Sequence, residues 1–195
     1  MKKSIALLCG SLLSVSLLAE DISRYVGIDY LSNSTTQTRG SSITSRDFDN
    51  DGSGLKFKLG YKNENNLRFQ VYVQNENYDT SAFSEGGSDG NLLEFGLDVI
   101  KAHKFSNGIS PFVEVGAGYG LMSIDGFLDD YISEISLKVG VGVMYNITPT
   151  LEAIVGVDYQ YRKWDDIEII DGLSDETLTT KENTSRIYFG ANLHF

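Results

Sequence analysis

Glu134-Ile135-Ser136-Leu137-Lys138-Val139-Gly140-Val141-Gly142-Val143-Met144-Tyr145 is the stretch that decides the fold of this chain. Ile135, Leu137, Val139, Val141, Val143 and Tyr145 fall on one side of a period-two repeat; Glu134, Ser136, Lys138, Gly140 and Gly142 fall on the other. Strict alternation marks a strand with one greasy and one polar face.

Seven other segments carry the same alternation. Val26, Ile28 and Tyr30 oppose Gly27 and Asp29, and Leu55 to Tyr61 alternate with Lys56, Lys58 and Gly60. Leu67, Phe69, Val71 and Val73 alternate with Arg68, Gln70, Tyr72 and Gln74; Leu93, Phe95, Leu97 and Val99 oppose Glu94, Gly96 and Asp98. Val113 to Leu121 alternate with Glu114 and three glycines. Leu151 to Tyr161 oppose Glu152, Gly156, Asp158, Gln160 and Arg162, and Ile187 to Phe195 oppose Arg186, Tyr188, Gly190, Asn192 and His194. Eight strands is an even number, and most are near the 9–11 residues that a tilted membrane strand needs. The first is shorter. The connections at 63–66, 103–110 and 146–150 are short or moderate. Those at 34–53, 77–91, 123–132 and 165–184 are long and polar, as expected with loops outside the cell and both termini periplasmic.

Met1-Lys2-Lys3, the apolar run Ile5 to Leu18, and Ala19 before Glu20-Asp21 read as a secretory signal peptide over 1–19, leaving a barrel over 20–195. Cys9 is the only cysteine and falls inside that peptide, so neither a disulfide framework nor a thiolate site is expected, and no cofactor. Removing Lys2 and Lys3 takes the net charge from −11 to −13, which excludes a nucleic-acid partner.

Alternation alone also suits a soluble barrel with an apolar interior. Three features favour lipid outside. The polar face collects the glycines, from Gly27 and Gly60 to Gly156 and Gly190, as a crowded lumen requires. It carries charges of both signs, among them Asp29, Lys58, Glu114, Lys138, Asp158 and Arg162, able to pair across the interior. The aromatics of the greasy face gather near strand ends: Tyr61, Phe69 and Tyr145 at one end, Tyr30, Tyr159 and Tyr161 at the other.

Phe195 ends the chain with Phe189, Ala191 and Leu193 in register behind it. This resembles the C-terminal signal by which outer-membrane barrels are recognised for insertion. The whole pattern resembles the small OmpA/OmpX-type outer-membrane barrel family. The resemblance implies an eight-stranded up-and-down barrel in a Gram-negative outer membrane. The partners it implies are outer-membrane lipid, lipopolysaccharide and, through Phe189, Leu193 and Phe195, the barrel-assembly machinery. The sequence as it stands carries no periplasmic peptidoglycan-binding domain, so wall anchoring is not expected.

Some barrels of this size modify lipid A with a histidine. Here His103 and His194 both fall at the short-turn end, away from the outer leaflet, so no catalytic residues are expected. Asp47, Asp49, Asp51 and Gly52 match the opening of a calcium loop, but the twelfth position is Lys58 instead of glutamate, so a solvated acidic loop is the preferred reading. Trp164 is expected to anchor at the lipid interface. The function expected is structural or surface interaction through acidic loops that meet surface or host ligands. A narrow pore along Asp29, Lys58, Glu114 and Lys138 is the alternative, and a lipid-A enzyme the remote one.

Overall fold

A computed structural model describes residues 23–40, 45–79, 89–123, 131–170 and 175–195. The segment assigned as signal peptide lies outside them. The strands are β1 Ser23–Gly40, β2 Ser45–Lys62, β3 Leu67–Asp79, β4 Asp89–Ala102, β5 Ile109–Ser123, β6 Ile132–Asn146, β7 Leu151–Trp164, β8 Ile167–Ile170 and β9 Asp175–His194. Each barrel strand pairs antiparallel with the next, and β9 returns to β1, with Tyr25 opposite His194. Eight strands close the cylinder. The short β8 pairs with the start of β9 alone among the described residues.

The seam closes at the chain's end. Arg24 N–H donates to Phe195 O at 3.3 Å, and Phe195 N–H donates to Arg24 O at 3.0 Å. In the β2–β3 turn, Asn66 sits at φ 56°, a left-handed conformation that asparagine tolerates, and Asn63 Oδ1 accepts from Leu67 N–H at 2.9 Å.

The greasy stripes face outward, with Ile135, Leu137 and Val139 all exposed by 57% or more. Their polar partners face inward, with Glu134, Ser136 and Lys138 at 3% or less. An outer wall of bare valine and leucine is a lipid-facing wall, and the soluble-barrel arrangement is excluded.

The strands run further than apolar alternation shows. β1 and β2 are each 18 residues and β9 is 20, so most of the expected loops 34–53 and 165–184 is strand. The period of two continues there with polar residues on both faces. Ser32, Ser34 and Thr36 point out while Asn33, Thr35 and Gln37 are buried. Threonine favours strands without grease, and a search for hydrophobic alternation stops where the lipid stops.

Candidate functional site

The lumen holds the concentrated chemistry of the molecule, and strand register builds it. Four inward aromatics each stand across the ladder from a glycine: Tyr25 from Gly60, Tyr72 from Gly96, Phe112 from Gly142, Tyr188 from Gly156. A Cβ on Gly60, Gly142 or Gly156 would fall 2.5 Å from the facing ring's Cζ. The glycines are therefore slots that the rings fill, a way of packing a narrow sheet cylinder without voids.

Around these rings the charges form three tiers. At the short-turn end, Arg68 Nη1 and Nη2 donate to the two oxygens of Glu152 at 2.7 and 2.8 Å, and Asn192 Nδ2 adds a bond of 2.9 Å. In the middle, Lys58 Nζ donates to both oxygens of Asp29 at 2.6 and 2.7 Å. Lys138 lies 2.7 Å from Asp98, with Lys56 at 3.9 Å from the same carboxylate, and Arg186 Nε donates to Asp158 at 2.7 Å. Lys138 Nζ also sits 4.1 Å from the Tyr72 ring centre, within cation–π range. At the long-strand end, Arg162 meets Glu76 at 2.8 Å, Glu182 at 2.9 Å and Glu94 at 3.2 Å. Tyr25 and Gln70 bridge the lower two tiers: Tyr25 OH donates to Gln70, and Gln70 Nε2 donates to Asp98.

Asp29, Lys58, Glu114, Lys138, Asp158 and Arg162 all point into this lumen, at 5% exposure or less. The structure brings Asp29 and Lys58 together. It does not pair Lys138 with Glu114 directly: the lysine goes to Asp98, and one oxygen of Glu114 meets no donor. Asp158 is taken by Arg186, and Arg162 by three glutamates. Alternation tells which face a residue is on, whereas the pairing depends on strand tilt and reaches strands far apart in sequence.

Asp47, Asp49 and Asp51 stand in β2, not in a loop. On one face of a strand they line up in a row instead of converging on an ion. Thr36 Oγ1 donates to Asp49 at 3.0 Å and Thr38 Oγ1 to Asp47 at 2.9 Å. Among the described residues no group of three acids, histidines or cysteines stands in metal-ligating geometry. Trp164 is no lipid anchor. It is 1% exposed on the inward face and donates Nε1–H to Glu182 Oε2 at 3.1 Å. Its position at the end of an alternating strand gave no warning, because Lys163 takes the outward place.

Sequence reasoning missed two groups. Glu76 and Glu182 lie beyond the apolar alternation of β3 and β9. The inward apolar residues Leu31, Ile100, Ala102, Phe112, Met144 and Ile154 cluster across the lumen with Tyr188, which the alternation of the last strand already places inside. Apolar pairs such as Val99-Ile100 and Ile154-Val155 are the signal that betrays the inward ones. The two histidines are at the short-turn end as expected: His103 is exposed, and His194 Nδ1 lies 3.3 Å from Ser23 Oγ with Nε2 3.6 Å from Glu152. Serine, histidine and acid thus meet, but both oxygens of Glu152 already accept from Arg68.

A closed antiparallel cylinder, greasy outside and filled with paired charges, defines a transmembrane β-barrel. The family model of the outer membrane protein beta-barrel domain matches residues 5–195, and the chain belongs to that family, the barrels of the Gram-negative outer membrane. Neisserial surface protein A is a similar solved structure, at 22% identity, TM-score 0.59, covering 90% of this chain and 100% of that one. OprG from Pseudomonas aeruginosa gives 11%, 0.60, 89% and 96%; AlkL in lipid bilayers gives 16%, 0.59, 90% and 90%. At these identities the likeness is one of fold. No curated protein matches the sequence.

Proposed function

We propose that the protein is a closed, non-catalytic outer-membrane barrel that serves the envelope structurally and meets the outside through the polar rim of β1, β2 and β9. The observation that carries this reading is the change of surface along one sheet. Outward residues pass from Val26, Ile28 and Tyr30 to Ser32, Ser34 and Thr36 without a break in pairing, so the wall continues past the lipid. On this reading the short turns and both termini face the periplasm, and the acids Asp47, Asp49 and Asp51 face outward from the cell.

The apolar cluster of the lumen supports a filled barrel over a pore. Ile100, Phe112, Met144 and Ile154, each 5% exposed or less, block the water path that the polar tiers alone would suggest. Lipid and lipopolysaccharide are the partners of the wall, and the assembly machinery is the partner of Phe189, Leu193 and Phe195, which are exposed outside at 59%, 52% and 67%.

The test trims the rim. Thr35 and Asn50 are paired across β1 and β2, so residues 36–49 can be replaced by a two-residue Asn-Gly turn. The trimmed barrel should stay heat-modifiable on gels and silent in planar bilayers, while surface-adhesion and serum-survival phenotypes fall. Unchanged phenotypes refute the rim's role, and discrete conductance steps from the intact protein refute the closed lumen.

A further inference from the structure

The lumen's charges do not cancel, and the imbalance is local. Among the described residues, nine buried carboxylates (Asp29, Glu76, Glu94, Asp98, Glu114, Glu134, Glu152, Asp158, Glu182) face six buried cations, leaving three negative charges over. The short-turn tier pairs Arg68 with Glu152. The middle tier sets Lys56, Lys58, Lys138 and Arg186 against Asp29, Asp98, Glu114 and Asp158. Both balance. At the long-strand end, among the described residues, Arg162 stands with Glu76, Glu94, Glu134 and Glu182, and Arg186 reaches only Glu76 from the middle tier at 3.1 Å, so most of the excess is there.

Three of those four acids are well served. Glu94 accepts from Tyr72, Gln74, Ser136, Gln160 and Arg162. Glu76 accepts from Asn33, Gln74, Arg162 and Arg186, and Glu182 from Arg162, Trp164 and Thr184. Glu134 is 1% exposed and neither of its oxygens meets a donor. Its position explains why. Gly120 pairs with Glu94 on one side and with Glu134 on the other, so across the bare glycine one carboxylate faces another. The charged groups around Glu134 are Glu94 of β4, Arg162 of β7 and Glu182 of β9, with Glu76 of β3 beyond; β5 contributes only the glycine.

We propose that the long-strand end of the lumen is a cation-binding chamber, in which Glu134 holds a small cation against Glu94. A buried carboxylate without a donor is costly because burial strips it of water, and a positive charge placed between two carboxylates removes that cost. A proton shared as Glu134 O–H···O Glu94 is the favoured occupant, since no metal-ligating trio stands there among the described residues. An inorganic cation answers to the same chemistry.

The chain's single tryptophan is a built-in reporter: Trp164 pairs with Glu134 across β6 and β7 and hydrogen-bonds Glu182. The experiment uses the full barrel folded in detergent micelles, with Glu134→Gln checked for heat-modifiability. Terbium is titrated while Trp164 is excited, and infrared spectra of the intact barrel are taken at neutral pH for a protonated-carboxyl C=O stretch. Saturable terbium emission that Glu134→Gln abolishes assigns the site to a metal ion. A protonated-carboxyl band lost in Glu134→Gln, without such emission, assigns it to a proton. Terbium emission that persists in Glu134→Gln belongs to the rim acids and, with no carboxyl band in the intact barrel, overturns the proposal. The infrared reading of the intact barrel stands even if the variant fails to fold. None of these readings depends on the rim's role in surface contact.

Discussion

Arg68 and Glu152, 84 positions apart in the chain, meet in a two-pronged ion pair at the short-turn end of the lumen. Parallel N–H···O bonds from a planar guanidinium are among the stronger polar contacts available to a buried pair. Arg68→Met leaves Glu152 charged and without its main partner, a loss of about 3–5 kcal/mol on the scale of broken buried pairs. Arg68→Met with Glu152→Met should recover much of that loss. Urea-driven unfolding from lipid vesicles measures both, and a double variant as weak as the single one contradicts this account.

The ring slots make a second prediction. Gly60→Val places a side chain where the Tyr25 ring already lies, and overpacking of this kind costs about 1–3 kcal/mol. Tyr25→Ala should cancel most of the penalty when combined with it, although alone it opens a void. The same folding assay decides, through a coupling between the two changes.

Where lipid begins along a strand is open to direct test. Val139→Arg, in the middle of the greasy band, should destabilise the barrel by about 2–4 kcal/mol, the cost of arginine near a bilayer midplane. Ser34→Arg, two outward positions beyond Tyr30, should change stability by about 0.5 kcal/mol or less, as surface substitutions do. Equal losses at the two sites would place the membrane elsewhere.

If the assembly machinery reads the C-terminal strand as proposed, Phe195→Ala separates assembly from stability. Its backbone bonds to Arg24 survive in Phe195→Ala, while the exposed ring is lost. Purified Phe195→Ala should refold in detergent as the parent does, yet accumulate less folded barrel in cells. Normal accumulation in cells counts against recognition of this terminus.

Strand number, closure and the sense of the two faces were legible because lipid imposes a rule on every second residue, and Ile135 to Tyr145 obey it throughout. Length was not. Past Tyr30 the outward side chains change from grease to Ser32 and Ser34, and hydroxyl residues alternating with amides look like loop. Partner choice inside was not legible either, since Lys138 selects Asp98 on β4 over Glu114 on the adjacent β5. Trp164 carried no sign of its direction, because an aromatic near a strand end suits both a headgroup layer and a lumen. Its burial and its bond to Glu182, itself in a stretch read as loop, separate the two.

β9, β1 and β2 are neighbours, and they are the three longest strands described, at 20, 18 and 18 residues against 13 to 15 for β3 to β7. Among the described residues the mouth of the cylinder is therefore cut on a slant, like a quill. A molecule with a slanted tip has a front and a back in the plane of the bilayer, so rotation about its own axis changes what it shows to a neighbour.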